Sequence, residues 1–424
     1  MNDLILGLII FILTYVLMIA IPNYRAHVAV TSAALFVILG LLPISEILPA
    51  IDFNVLMMIA GTMGIVSLFI ESKMPSLLAD YIIDKMPNVK WVVISLSVFA
   101  GIISAFVDNV ATVLMVAPVA ITVADKLNIK PVKMVIAIAI ASNLQGAATL
   151  VGDTTSILLG GYANMNFMDF IIYDGKPGMF FVVQLAMIAA TAVLYFVFKE
   201  YNQEVHLEHF TEVEDYFPTF LLVGTILSLI IASFIPNTPD LINGYICMAY
   251  LILGIIVQSK KTSFTHAISL VKADMDFFTL FLLAGLFVVI GGISYVGVID
   301  EIANIFVKFG SDNIFVLYTI IVFASVILSA FIDNIPYVAT MLPVVTGIAI
   351  HLGVDPTLLY FGLLSGATLG GNLTPIGASA NITAIGILKK NGHEVPSSTF
   401  MKISIPYTLA AVFTGYVLIW FLFG

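Results

Sequence analysis

Apolar runs of about twenty residues, parted by short polar breaks, follow one another along the whole chain. They fall near 4–21, 27–43, 53–70, 91–107, 110–125, 131–165 and 179–198, and, past an acidic stretch, near 217–235, 241–258, 277–299, 313–332, 335–350, 356–388 and 403–423. Each run of ordinary length makes one helix that crosses a bilayer at about 1.5 Å per residue. With 61% hydrophobic and 10% charged residues, the 424-residue chain lies far from the soluble norm of about 45–50% apolar and 25% charged. The fold class is therefore an all-α polytopic membrane protein. Met1-Asn2-Asp3 has no basic stretch and the first run has no small-residue cleavage site, so a retained first span is expected rather than a signal peptide. The lone Cys247 excludes an internal disulfide, and a net charge of −10 argues against a nucleic-acid partner.

The list of runs repeats itself. Sliding the chain by 225 positions places Asp108-Asn109 on Asp333-Asn334, Pro118 on Pro343, Thr149 on Thr374 and Gly152 on Gly377; a slide of 224 places Asp52 to Gly61 on Asp276 to Gly285. Coincidences at one offset indicate a duplication, with repeats 1–198 and 216–424, and internal symmetry of this kind marks many transporter folds.

Two pairs of runs and two long runs depart from plain spans. Runs 91–107 and 110–125, and 313–332 and 335–350, are joined only by Asp-Asn, so each pair reads as a re-entrant hairpin with its tip inside the protein, where protein or a wet cavity satisfies the irregular backbone. Runs 131–165 and 356–388 are interrupted at Gly146 to Gly152 and Gly370 to Gly377, and each reads as a helix broken midway. Counting a hairpin as no crossing and a broken helix as one gives five spans per half, an odd number that inverts the second half. Of sixteen Lys and Arg residues, all but Lys176 and Lys308 then fall on one side. The positive-inside rule makes that side cytoplasmic, with both termini outside a cell (plasma or inner) membrane.

Asp108 and Asp333 are the first candidates for chemistry. A carboxylate at membrane depth costs at least about 2.5–3.5 kcal/mol on insertion scales, so two in matched places call for a reason. Each also suits the N-cap of its second hairpin leg, a role that leaves one oxygen free for a proton or Na+. The broken helices read Gly146-Ala-Ala-Thr149-Leu-Val-Gly152-Asp153-Thr-Thr-Ser156 and Gly370-Gly-Asn-Leu-Thr374-Pro-Ile-Gly377-Ala-Ser379-Ala-Asn381. Freed carbonyls, hydroxyls and amides there suit Na+, with candidate contacts at Asn109, Gly152, Asn334 and Gly377, while freed N–H groups face an anion. The bland alternative is a Gly-rich kink used for close packing. Asp153, matched by Ala378, is a third carboxylate or a further cap. No buried Lys or Arg is expected to be available to pair a carboxylate substrate, which leaves anion recognition to helix N-termini. Asp52 and Asp276 are expected at the water boundary, and His206 and His209 in a solvated acidic linker, 199–215, rather than a metal site. No His cluster or HExxH pattern supports a membrane enzyme.

At Phe331-Ile-Asp-Asn-Ile-Pro-Tyr-Val-Ala-Thr-Met-Leu-Pro343, at Leu369 to Asn381 and at Phe281 to Gly292 the chain resembles the ion transporter superfamily, in particular its arsenite permease, P-protein and sodium/proton antiporter branch. Gly152-Asp153-Thr154-Thr155-Ser156 departs from that branch's Gly-Asp-Pro-Pro-Asn. The resemblance implies a homodimer in which transport parts (89–198 and 311–424) move against scaffold parts (1–88 and 216–310) as an elevator. It implies a secondary transporter with no cofactor beyond H+ or Na+ as coupling ion, moving a small anion or an arsenite-like metalloid oxyanion. The alternatives are sodium/proton exchange, sodium-coupled uptake of a di- or tricarboxylate and, in another class, an anion channel. Asp108, Asn109, Thr149, Gly152, Asp153, Ser156, Asp333, Asn334, Thr374, Gly377, Ser379 and Asn381 are the expected binding residues.

Overall fold

In the computed structural model, which describes residues 2–127, 129–205, 210–213, 215–310 and 313–424, twenty α-helices run in two matched sets of ten. The first comprises α1 (Asp3–Ala20), α2 (Arg25–Ile38), α3 (Ile47–Ala50), α4 (Phe53–Glu71), α5 (Met74–Asp84), α6 (Val89–Ser104), α7 (Asn109–Lys126), α8 (Val132–Gln145), α9 (Thr154–Tyr162) and α10 (Met179–Val197). The second comprises α11 (Phe217–Ser233), α12 (Ile242–Lys261), α13 (Phe264–Asp274), α14 (Phe277–Tyr295), α15 (Val298–Gly310), α16 (Ile314–Ser329), α17 (Asn334–Leu352), α18 (Thr357–Gly370), α19 (Ser379–Lys390) and α20 (Ser397–Phe423). Eight of these are long and apolar enough to cross a membrane.

Local sequence sets the helix boundaries. Asp52 and Asp276 accept the Val55 and Thr279 N–H groups at 2.9 and 3.0 Å and start α4 and α14 alike. Gly353, at φ +65°, ends α17 in the left-handed turn that favours glycine. The hairpins are present, each closed by four residues, Ala105–Asp108 and Ala330–Asp333, rather than by Asp-Asn alone. The breaks are present as well: short 3-10 turns follow α8 and α18, and extended backbone at Thr149 and Thr374 leads into α9 and α19.

Packing follows the duplication. α2 packs on α14 as α12 packs on α4, α6 on α8 as α16 on α18, and α7 along α19 as α17 along α9; α10 and α20 pack on each other. Close approach rests on small residues. A Cβ on Gly61 would lie 2.6 Å from the Cys247 carbonyl carbon, and one on the matched Gly285 would lie 2.8 Å from that of Ala29. α8 and α18 are buried almost all round and form the centre, whereas α1 exposes Ile12, Leu13 and Val16, and α11 exposes Phe220 and Ile231, faces suited to lipid.

The described part of the linker lacks regular structure and is tied down at several points. The Val89 and Lys90 N–H groups donate to the Gln203 and Tyr201 carbonyls, each at 2.9 Å, and Thr211 donates twice to Asp80. His206 and His209 lie outside the described residues.

Gly61→Val and Gly285→Val should each overpack a helix crossing and cost about 1–3 kcal/mol, read as a lowered melting temperature in detergent. Gly386→Ala, with open space around its Cβ, should show no loss.

Candidate functional site

The hairpin tips are built by their aspartates. Asp108 Oδ1 accepts the Val110 and Ala111 N–H groups at 2.9 and 3.3 Å, and Asp333 Oδ1 accepts the Ile335 N–H at 3.1 Å. Both residues are N-caps of second hairpin legs, as their type allows. The second oxygen of Asp333 is engaged too: Arg25 Nη1 donates to Asp333 Oδ2 at 2.8 Å, with both side chains largely buried. This corrects the expectation that no basic side chain reaches the site. Arg25 is the first residue of α2 and reaches Asp333 along its aliphatic stem.

The breaks hold the tips by matched bonds. The Thr149 hydroxyl donates to the Ala105 carbonyl, and the Thr374 hydroxyl to that of Ala330. Ser156 donates to the Gly146 carbonyl at 3.0 Å, and Asn381, in the matched place, donates to the Gly371 carbonyl at 3.1 Å and to that of Thr374 at 3.0 Å. Gly152 and Gly377 let backbones meet: a Cβ on either would lie 2.6–3.0 Å from three carbonyl oxygens, those of Gly146, Ala105 and Ser104 or of Gly371, Ala330 and Ser329. Asn381 Oδ1 is buried with no partner among the described residues.

Between the two breaks runs a chain of amides that joins the expected Asn109 to Asn143 and Asn372, which were not among the expected site residues. Asn109 Nδ2 donates to Asn143 Oδ1 at 2.9 Å; Asn143 Nδ2 donates to the Thr368 carbonyl at 2.8 Å and to Asn372 Oδ1 at 3.1 Å; Asn372 Nδ2 donates to the Ile140 carbonyl at 2.9 Å. Asp153 caps α9 through the Thr154 N–H at 2.8 Å, and its Oδ2 accepts the Thr155 hydroxyl at 2.9 Å and, at 3.5 Å, the Asn334 amide of the other hairpin. The available signal was an amide inside an apolar run, as at Asn143, and Asn372 within the second break motif.

A cavity of about 340 Å³ opens against these groups. Asp108, Asn109, Asp153, Asn334 and Ser379, all expected site residues, line it together with Thr154, Thr279 and Asp276, the last exposed at the start of α14. Thr149, Gly152, Ser156, Asp333, Thr374, Gly377 and Asn381 stand behind that lining. The lining contains three carboxylates and no Lys or Arg. A second cavity, of about 370 Å³, occupies the symmetry-related place; Asp52, Phe287 and Ala339 there match Asp276, Met63 and Leu114 of the first. It reaches α17 only from Ala339 to Pro343 and stops short of the Asp333 tip.

A sequence model of citrate transporters matches residues 15–366. The chain belongs to the citrate transporter family. An uncharacterized transporter of Mycobacterium tuberculosis is 31% identical to this family member, over 97% of the chain and 96% of the relative. The human P protein is 25% identical over 90% of the chain, which spans about half of that longer protein (55%). In fold, the chain is similar to the YdaH transporter of Alcanivorax borkumensis (TM-score 0.59, 14% identity, covering 88% and 86% of the two chains) and to MtrF of Neisseria gonorrhoeae (TM-score 0.57, 15% identity, 99% and 94%). The family match, the apolar spans and these neighbours make it a multi-pass membrane transporter of the ion transporter superfamily.

Asn143→Ala in this citrate-transporter-family protein leaves the Asn109 amide and the Asn372 oxygen without their partner. It should cost about 1–3 kcal/mol, read as a lowered melting temperature, with Asn143→Gln intermediate.

Proposed function

We propose that the chain is a cation-coupled secondary transporter working by alternating access, with Asp108 and Asp153 carrying the coupling H+ or Na+. The acidic lining of the cavity carries this reading. Carboxylates in a low-dielectric site repel one another and are costly uncompensated, so a cavity holding two at its floor and a third at its mouth favours a proton or cation. The carbonyl clusters around Gly152 and Gly377 and the open oxygen of Asn381 add hard-oxygen ligands suited to Na+.

Packing supports repeats of opposite direction. α7 leaves its tip and ends at Lys126, and α19 lies along both α7 and α8 and ends at Lys389 and Lys390 on that same side; α9 lies along α17 and α18. By the positive-inside rule that side is the cytoplasm, so the hairpins enter from opposite waters. The cavity at Asp108 then opens inward, beside Ala273 and Asp276, while its symmetry mate faces outward and is stopped at Ala339. One of two related cavities reaching the tips is the signature of a carrier caught in one access state rather than of a continuous pore.

The same charge bears on the substrate. An uncharged oxyacid such as undissociated arsenous acid enters this cavity with no compensation, and sodium/proton exchange uses the carboxylates alone. The family match favours a second reading, a tricarboxylate such as citrate, which this lining admits only with cations or protons offsetting its charge.

Asp108→Asn and Asp153→Asn in proteoliposomes should each lower flux driven by an imposed H+ or Na+ gradient at least about tenfold, the loss of roughly 1.4 kcal/mol or more of coupling. Flux would be screened against arsenite, citrate, succinate and chloride. Single-channel currents, or gradient-driven flux unaltered in both variants, would refute the proposal.

A further inference from the structure

The two hairpin tips meet opposite charges. Asp333 is paired with Arg25, while Asp108 shares its cavity with the carboxylate of Asp276. Gly61 packs on Cys247 as the matched Gly285 packs on Ala29, which sets α2 against α12 at an offset of 218 and puts Asn243, not a cation, in the place of Arg25. Arg25 is also anchored: its Nε donates to the Met18 carbonyl near the end of α1, at 3.3 Å. Farther along α17, Tyr15 donates to the Pro336 carbonyl at 2.7 Å and its hydroxyl meets that of Thr340. Helices α1 and α2 thus grip α17 at Asp333, Pro336 and Thr340.

The paired cavities give that grip a direction. On one side Val110, Ala111 and Leu114 of α7 stand with Ala273 and Asp276. On the other, Ala339, Leu342 and Pro343 of α17 stand with Pro49, Ala50 and Asp52. Ala339, Leu342 and Pro343 match Leu114, Ala117 and Pro118, so the two related helices sit out of step by about five residues, or about 7 Å at 1.5 Å per residue. A pair of equivalent repeats in unequal register has a second state in which the registers are exchanged.

We propose that Arg25 is a positioning residue that holds the present register through Asp333, and that the opposite access state brings Asn334 and Ile335 of α17 level with Ala50 and Asp52 once this ion pair has opened. The inference rests on the alternating-access reading above. It assigns the two aspartates different tasks: Asp108 is free to load a cation in the present state, and Asp333 is released to do so only in the other. Removal of Arg25 shifts the population toward the exchanged register, since it stabilises one state and not the other.

The test uses two cysteine pairs in nearly symmetry-related places, Ala50 lying one residue beyond the match of Ala273, in the full-length protein in membranes on a Cys247→Ala background. V110C/A273C reports the present register, and I335C/A50C the exchanged one. Arg25→Gln should raise the yield of I335C/A50C relative to V110C/A273C at least threefold, and Arg25→Lys should keep the ratio within twofold of the parent. Asp333→Asn removes the charge and keeps a capping side chain, so it should shift the ratio as Arg25→Gln does and serves if that variant accumulates poorly. An unchanged ratio in well-folded Arg25→Gln or Asp333→Asn, with both pairs capable of cross-linking, overturns the role of Arg25 and leaves the carrier intact. Absence of any I335C/A50C product in every variant and under every ion gradient overturns the alternating-access reading itself, and the role of Arg25 with it.

Discussion

Within a bilayer every backbone N–H and C=O released from a helix must find a partner inside the protein. The chain releases such groups at four places, two hairpin turns and two helix breaks, and brings all four together. What looks like a binding site is first an answer to that demand. Asp108, Asp333 and Asp153 cap three of the four helices that restart after an interruption, and α19 starts at Ala378 without a side-chain cap. Thr149 and Thr374 return hydroxyl protons to the turn carbonyls, and Gly152 and Gly377 admit backbones closer than any side chain permits. A carboxylate needs only one oxygen to cap, so the second is left for other partners: Arg25 at Asp333, Thr155 and Asn334 at Asp153, and the cavity at Asp108.

The duplication sets this frame and the departures from it make it useful. Two identical inverted halves would have no preferred direction. Here Asp153 is matched by Ala378, Ser156 by Asn381, and Arg25 by no cation. Asp153 places a carboxylate at the floor of one cavity, and its bond to Asn334 of the other hairpin links the two repeats at that point. Arg25 pairs with one hairpin tip and leaves the other without a cation. If the protein alternates between two access states as proposed, such inequalities set an energetic preference between them, because interchangeable halves would populate both equally.

Much of this was legible in the sequence because the interruptions have strong chemical signatures. Asp-Asn inside an apolar run and Gly-Thr-Gly midway along a run too long for one span each recur at a fixed offset, and the structure has turns and breaks at those places. The site was legible less completely. Residue type does not distinguish a hydroxyl that ligates an ion from one that ties a turn, and Thr149 and Thr374 do the latter. Asn143 sits in a run of Ala and Ile with Thr368 as its matched residue, so the repeat gave no hint of it. Arg25 carries the signature of an ordinary cytoplasmic charge, and only the length of its side chain and the reach of the second hairpin bring it to Asp333.

Charge decides what this cavity can accept. Two unit charges about 8 Å apart in a protein with an effective dielectric near 20 interact by about 2 kcal/mol. A trianion facing ionised Asp108 and Asp153 at such a distance meets six repulsive pairs, on the order of 12 kcal/mol, more than the binding energy of a micromolar ligand at about 8 kcal/mol. Bound water and Asp276 at the mouth alter the figure without changing its sign. A citrate-like trianion and a carboxylate-lined cavity are compatible only if the protein carboxylates are neutralised, or the anion's charge is offset, before or as it enters. Under the proposed function that requirement is itself the coupling: the cation completes the binding site, and an anionic substrate enters the cavity only with it.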